Sequence, residues 1–122
     1  MTMKHALPAL VLAFAAQSGL AAEDGARLFK NACGTCHSSN AGHRIGPSLL
    51  GLSGRLSGTA LGFEGYSPAM QKAAITWDAA LLDRFLAAPG AVVKGTEMSY
   101  PGLKNEAERK AIVDYVLQLK AP

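Results

Sequence analysis

The chain contains two cysteines, and both lie in one short motif, Cys33-Gly34-Thr35-Cys36-His37. In this C-x-x-C-H pattern, two thiols on a single turn can form thioether bonds with the two vinyl groups of a haem. The histidine that follows the second thiol can then reach the iron. The motif therefore predicts one haem c, attached covalently through Cys33 and Cys36, with the imidazole of His37 as the proximal iron ligand.

Three other chemistries can use paired cysteines, and each fits the sequence less well. A thioredoxin-like C-x-x-C motif needs a βαβ surrounding, which the sequence does not predict. A zinc site could be built from Cys33, Cys36, His37 and His43. Two of its ligands, Cys36 and His37, would then be adjacent in sequence, whereas the ligands of the usual Cys₂His₂ sites are separated by several residues. A plain disulfide, the expected state of two thiols in an oxidising compartment, explains neither the histidine nor the loop-rich sequence.

The sequence also suggests a hydrogen-bond acceptor for His37 and a sixth ligand for the iron. The second imidazole nitrogen of His37 needs an acceptor, for which we expect a backbone carbonyl near Pro47. Met98 lies in a glycine-containing loop that can approach a flat ligand closely, and we favour it as the sixth iron ligand over Met70 or His43. His/Met ligation raises the reduction potential and leaves no open position, which favours electron transfer over oxygen chemistry.

The apolar pattern predicts an all-α chain with long loops. We expect helices over about residues 24–33, 67–73 and 78–87, the third of them ended by Pro89. A last helix begins at the N-cap Asn105, with Glu108 at the capping-box position. Residues 38–66 lack strand-like alternation, and we expect a bound group to bury their apolar side chains: Ile45, Leu49, Leu50, Leu52, Leu56 and Phe63. So small a chain needs a prosthetic group to complete its core.

The first 21 residues resemble a secretory signal rather than part of the domain. Lys4 is the one fixed charge before an apolar stretch over residues 6–16, and small residues follow. We expect cleavage after Ala21, with Ala22 as the next choice, which leaves a domain over residues 22–122 in the periplasm. The alternative is a retained anchor, although the apolar stretch is shorter than the ~20 residues that a membrane span needs.

The formal charge of the chain argues against a nucleic-acid partner. Twelve basic and nine acidic residues give +3. Removal of Lys4 with the signal leaves eleven basic residues against nine acidic ones, or +2. Because no run of Lys or Arg forms a patch, we expect no nucleic-acid binding.

Together these motifs identify the chain as similar to class I cytochromes c, and most closely to mitochondrial cytochrome c and bacterial cytochrome c2. Gly25 and Phe29 resemble the packing pair of the family's first helix, and Tyr115 the aromatic residue that packs across it. The segment around Pro47 resembles the loop whose proline carbonyl accepts from the axial histidine. The resemblance implies a small cytochrome c fold of three to five helices, with long loops wrapped around one haem.

Further site residues are implied by the same resemblance. Arg55 corresponds to an arginine near a haem propionate, and Trp77 to an indole that donates to a propionate. Tyr66 belongs to an aromatic loop below the ring, and Thr96 corresponds to a hydrogen-bond donor on the propionate side. His43 resembles a structural loop histidine of the mitochondrial proteins.

Two positions depart from the family pattern. Phe85 lies where many relatives have a tyrosine whose hydroxyl approaches the methionine sulfur, and Met70 lies where many have an asparagine. We therefore expect a less polar pocket on the side of the ring that Met98 occupies.

The predicted function is that of a soluble, periplasmic, monomeric carrier of one electron, and not of an enzyme. The implied partners are redox proteins, such as a cytochrome bc1-type complex and a terminal oxidase or a dehydrogenase. Stable membrane insertion is not expected once the signal is cleaved. Two alternatives stay open: a haem-bearing subunit of a larger sulfur- or alcohol-oxidising oxidoreductase, and a peroxidase-like haem protein.

Overall fold

The computed structural model describes the backbone of residues 17–121 and the side chains of residues 24–121. In this part of the chain the regular elements are five helices: α1 (Gln17–Ala32), α2 (Pro68–Lys72), α3 (Ala79–Ala87), α4 (Pro89–Val92) and α5 (Glu106–Leu117). The described residues form no strand, and a single antiparallel bridge joins Leu56 to Thr76. The all-α prediction is confirmed. No helix among the described residues is both long and apolar enough to cross a membrane.

Side-chain caps explain why three helices begin where the sequence predicts. The side-chain oxygen of Ser67 accepts a hydrogen bond from a backbone amide in the first turn of α2. Asp78 and Asn105 accept in the same way at the starts of α3 and α5. Each cap satisfies one backbone N–H that the helix leaves without a partner. The start of α5 coincides with the prediction, and the bounds of α2 and α3 lie within one residue of it.

One predicted boundary is wrong, and one helix was not predicted. Helix α1 begins at Gln17 rather than near Asp24, because the intervening stretch contains leucine and alanine, which favour helix. Pro89 does end α3, but it also opens α4, since its fixed φ and missing N–H suit the first position of a helix. Of the predicted signal peptide, residues 1–16 lie outside the described residues, and residues 17–21 belong to the backbone of α1.

Helices α1 and α5 pack closely where Gly25 meets Ala111. A β-carbon on Gly25 would lie 2.5 Å from the carbonyl oxygen of Ala111, so the absence of a side chain permits the contact. One turn later the rings of Phe29 and Tyr115 pack at 5.5 Å between centroids, tilted by 50°. This crossing fixes the end of α1 against α5.

Hydrogen bonds hold the long loop of residues 38–66 against the rest of the chain. The amide of Ser57 donates to the carbonyl of Ile75, and that of Trp77 to the carbonyl of Arg55. Between this loop, α3 and α5 lies the core, formed by buried apolar side chains: Phe29, Leu52, Trp77, Leu82, Phe85, Leu86, Val93, Ile112, Val113 and Val116. Ile45 is 76% and Leu56 47% exposed in the protein chain itself, so the burial of these two side chains by a bound group stays a prediction.

Candidate haem-binding site

A cavity of about 410 Å³ opens between the end of α1, the long loop, α3, α5 and the segment that follows α4. All nine residues that the sequence singles out for the site line this cavity: Cys33, Cys36, His37, Pro47, Arg55, Tyr66, Trp77, Thr96 and Met98. Residues separated by up to 65 positions in sequence are therefore brought to one cavity.

The two thiols lie on a helical turn that continues α1 by a few residues. The amide of Cys33 donates to the carbonyl of Phe29 at 2.8 Å, and the amide of His37 donates to the carbonyl of Cys33 at 2.8 Å. Both thiols are free, with Cys33 half-buried and Cys36 exposed. Burial, with a smaller contribution from Cys36, raises the pKa of the Cys33 thiol to about 11. The turn thus presents both sulfur atoms and the imidazole to the same cavity.

The imidazole of His37 is oriented by the loop that faces it. Its Nδ1 lies 2.8 Å from the carbonyl oxygen of Pro47, and since a carbonyl can only accept, Nδ1 carries the proton. Burial lowers the pKa of His37, and the hydrogen bond to Pro47 acts in the opposite direction. The ring is therefore neutral near pH 7, and its Nε2 lone pair is available to a metal ion.

The loop approaches this ring so closely that any side chain at residue 46 would displace it. A β-carbon on Gly46 would lie 2.5 Å from Cε1 of His37, well inside van der Waals contact. The amide of Gly46 donates to the carbonyl of Cys36 at 2.7 Å, which ties the loop to the attachment turn. The position of the Pro47 carbonyl follows from this contact.

Arg55 brings an unsatisfied hydrogen-bond donor to the cavity. Its two terminal nitrogens donate to the carbonyls of Leu50 and Ser48 at 3.1 and 3.2 Å. Its Nε atom is buried and has no hydrogen-bond partner in the described structure. A buried donor without a partner costs about 1–3 kcal/mol, so this N–H calls for an acceptor that the chain does not supply.

Two aromatic residues of the predicted site are held by neighbouring rings. Trp77 is buried and packs edge-on against Phe85, with 5.0 Å between ring centroids. Tyr66 packs edge-on against Phe63 at 4.9 Å. The hydroxyl of Tyr66 accepts from the amide of Ala60 at 3.0 Å, so its own proton is free to donate.

The segment after α4 carries Met98 to the cavity. The Thr96 hydroxyl accepts from the Met98 amide at 3.3 Å, and the Met98 carbonyl accepts from the Tyr100 amide at 2.9 Å. Met98 is half-buried, with its side chain packed against the core. Hydrogen bonds to both backbone polar groups of Met98 thus fix its backbone beside the cavity.

Met70 and Phe85 also line the cavity, as do four aliphatic residues on α3 and α5 that the sequence did not single out for the site: Leu82, Leu86, Ile112 and Val116. The two residues on each helix are four positions apart, and this spacing places them on the same side of the helix. Spacing alone does not reveal that this side also faces a cavity.

The geometry argues against zinc. Nδ1 of His43 accepts from the Ser48 amide at 3.0 Å, and Nε2 donates to the Leu61 carbonyl at 2.9 Å, so neither nitrogen is available to a metal ion. The described residues also contain no cluster of three or more metal-ligating side chains of the His, Cys, Asp and Glu types.

The cavity wall suits a haem. Aliphatic and aromatic side chains cover most of it, which fits a large apolar ring. The unpartnered N–H of Arg55 suits the anionic propionates that such a ring carries. The thiols of Cys33 and Cys36 and the free Nε2 of His37 supply the atoms that covalent attachment and iron ligation require.

Comparison with known proteins agrees with this geometry. The family model described as cytochrome c matches residues 22–120. The chain is 43% identical over 100 residues to cytochrome c of Euglena viridis, a match that covers 81% of this chain and 97% of the relative. It is also 43% identical to cytochrome c2 iso-2 of Magnetospirillum molischianum, over 89 residues that cover 72% of this chain and 91% of the relative. With cytochrome c2 of Rhodoblastus acidophilus it shares 43% identity over 91 residues, or 73% and 84% of the two chains.

Cys33 and Cys36 stand in the C-x-x-C-H motif of a family whose members carry one covalently attached haem c. The chain has one such motif, and both of its cysteines belong to it. The protein is therefore a member of the class I cytochromes c, with one haem c attached through these two residues.

Proposed function

We propose that the protein is a periplasmic, soluble and monomeric carrier of single electrons, with His37 and Met98 as the axial ligands of the haem iron. The observation that carries the proposal is that His37, with its free Nε2, and Met98 line one apolar cavity. When bound, the haem supplies a one-electron ferrous/ferric couple. Two protein ligands leave no iron position for a substrate.

The residues around the cavity support this role by holding the centre rigid and excluding water. The Pro47 carbonyl accepts from His37 Nδ1 at 2.8 Å and so limits rotation of the ring. Met70 and Phe85 also line the cavity, and their apolar side chains contribute no hydroxyl or amide group. A dry, fixed environment disfavours the charged ferric state and raises the reduction potential. Arg55, Trp77, Tyr66 and Thr96 are the proposed hydrogen-bond donors for the propionates.

The ligand assignment is tested by two matched variants, because Met70 and Met98 line the same cavity. In Met98→Ala the haem stays attached, but the long-wavelength band of the oxidised protein that reports the iron–sulfur bond disappears and the potential falls. In Met70→Ala the band remains. The opposite pattern would assign the ligand to Met70.

Export is tested on the N-terminus of the mature protein. The match to the family model begins at residue 22, which supports a domain over residues 22–122 preceded by a cleaved signal. Intact-mass measurement of the haem protein from a bacterial periplasmic fraction is expected to place the first residue at Ala22. A mass that includes Met1, with the protein in the membrane fraction, would support a retained anchor instead.

We propose that the protein is a free carrier and not itself an enzyme. A peroxidase-like activity needs an open iron position, so Met98 would have to leave the iron first. Cyanide is therefore expected to bind the ferric protein slowly, while immediate binding would favour the peroxidase-like alternative. A donor such as a cytochrome bc1-type complex and an acceptor such as a terminal oxidase or a dehydrogenase fit a free carrier. Elution of the native protein at the mass of a larger complex would favour the subunit of an oxidoreductase.

A further inference from the structure

Met98 lies in a segment without helix or strand, residues 93–105, which connects α4 to α5. Upstream of Met98 the segment is tied back to the end of α4, because the amide of Thr96 donates to the carbonyl of Val93 at 3.0 Å. Downstream of Met98, other parts of the fold hold the chain. The place of the thioether therefore depends on what fixes that downstream end.

The last turn of α3 supports the backbone that follows Met98. The amide of Leu103 donates to the carbonyl of Leu86 at 2.8 Å, a carbonyl that the end of a helix leaves without a partner of its own. Gly102 has a φ of +100° and passes so close to α3 that a β-carbon there would overlap the carbonyl oxygen of Ala87. The chain after Met98 is thus seated directly on the end of α3.

Arg109 holds the same stretch from α5. Its Nη1 atom donates to the carbonyl of Leu103 at 3.0 Å. Both backbone polar groups of Leu103 are therefore bonded, the amide to α3 and the carbonyl to α5. Lys104 adds an exposed contact, since its ammonium group donates to the carbonyl of Ala87 at 3.0 Å.

Asp83 on α3 orients the guanidinium group of Arg109. One carboxylate oxygen accepts from Nε at 2.6 Å, and the other lies 3.5 Å from Nη2. The side chain of Arg109 is 12% exposed and that of Asp83 39%, so the ion pair is partly shielded from water. Because the guanidinium group is planar and rigid, a contact through Nε also fixes the direction of Nη1. Helix α3 thus holds Leu103 twice, once directly and once through Arg109.

From these contacts we propose that Asp83 is a positioning residue for Met98. By orienting Arg109 it fixes Leu103, five residues downstream of the thioether, and so keeps the segment from moving away from the iron. This inference rests on the proposed ligation of the iron by Met98. A segment that stays in place keeps the sixth iron position closed to external ligands.

Imidazole reports how often the thioether leaves the iron. Above its own pKa it is uncharged, so removal of a carboxylate does not change its local concentration. It binds the ferric iron only where the sixth position is vacant, and its apparent affinity rises in proportion to the fraction of protein in which Met98 has dissociated. Loss of the long-wavelength band that reports the iron–sulfur bond follows the titration.

We expect Asp83→Ala to raise the apparent affinity of the ferric protein for imidazole about fivefold, the effect of one partly exposed charged hydrogen bond. Val113→Ala is the control for general destabilisation, because Val113 is buried on α5 and does not line the cavity. It should lower the denaturation midpoint at least as far as Asp83→Ala does and leave imidazole affinity unchanged. Asp114→Ala is the control for charge, because it removes an exposed ion pair with Lys110 on the same helix.

Arg109→Lys tests whether Asp83 acts through Arg109. A lysine keeps the positive charge but replaces the fork that reaches both Asp83 and Leu103 by a single nitrogen. We expect this variant to raise imidazole affinity by itself, and the addition of Asp83→Ala to produce little further change. Hydrogen exchange at the Leu103 amide, a readout independent of iron ligation, should become faster in both single variants.

Two results would overturn the positioning role and leave Met98 as the ligand. The first is an imidazole affinity that Asp83→Ala changes no more than Val113→Ala does. The second is a rise of the same size in the parent and in the Arg109→Lys background. If Met98→Ala leaves both the long-wavelength band and the imidazole affinity of the parent unchanged, the ligand assignment itself fails, and this inference fails with it.

Discussion

Gly25 on α1 and Tyr115 on α5 approach so closely that a β-carbon on Gly25 would lie 2.8 Å from Cβ of Tyr115. A methyl group there also meets the backbone of α5, which cannot rotate away as a flexible side chain would. Gly25 thus allows the two longest helices of the described chain to come into close backbone contact.

We expect Gly25→Ala to lower the free energy of unfolding by about 1–2 kcal/mol. Alanine gains about 1 kcal/mol of helix propensity over glycine, but overpacking costs up to about 3 kcal/mol. Gly90→Ala is the control, because nothing lies within 4 Å of a β-carbon at this position of α4. Chemical denaturation measures both variants, and equal stabilities would contradict the close contact.

We expect Gly46→Ala to disturb the iron ligation while the haem stays attached. The added methyl group would lie 2.5 Å from Cε1 of His37, so the ring must move and its hydrogen bond to Pro47 lengthens. The absorption spectrum and reduction potential should change. Gly42→Ala, in the same loop but with open space around its β-carbon, should leave both unaltered. A parent-like spectrum for Gly46→Ala would refute the constraint on the ring.

Removal of the attachment residues is expected to prevent stable folding. In the double variant Cys33→Ser and Cys36→Ser, the cavity of about 410 Å³ loses the group that fills it. At about 24 cal/mol per Å³, an empty space of that volume costs up to about 10 kcal/mol, as much as the whole stability of a typical domain. Circular dichroism should show the loss of helix. A helical, monomeric protein without haem would show that the chain can close its own core.

His43 is expected to stabilise the long loop. His43→Ala removes the acceptor of the Ser48 amide and the donor to the Leu61 carbonyl, two bonds worth about 1–2 kcal/mol together. Denaturation should show this loss, and hydrogen exchange at the Ser48 amide should become faster. Unchanged exchange at Ser48 would mean that other contacts hold the loop.

The helices were predictable where a polar side chain marks their start. Asp78 and Asn105 cap α3 and α5, and both signals are local in sequence. The start of α1 and the existence of α4 were not predicted. Glu23 and Asp24 resemble a helix start although the helix extends further upstream, and Pro89 both ends one helix and opens the next.

The site was predictable in its residues more than in its shape. The C-x-x-C-H motif and the family resemblance identified nine residues, and all nine line the cavity, although their individual roles stay predictions. The bridge between Leu56 and Thr76 was missed because it joins positions twenty residues apart, and only the folded chain reveals such a pairing.

The direct succession of α3 and α4 has an evolutionary consequence. Ala88 ends one helix and precedes the other, Val93 donates back to Pro89 and Thr96 to Val93, so hydrogen bonds follow one another along the chain from α3 almost to Met98. One inserted residue would displace the thioether by about 3.5 Å, more than the length of a metal–ligand bond. Insertions and deletions should therefore be rare between residues 89 and 98 among natural variants, and common around Gly42, where the chain is exposed and has open space.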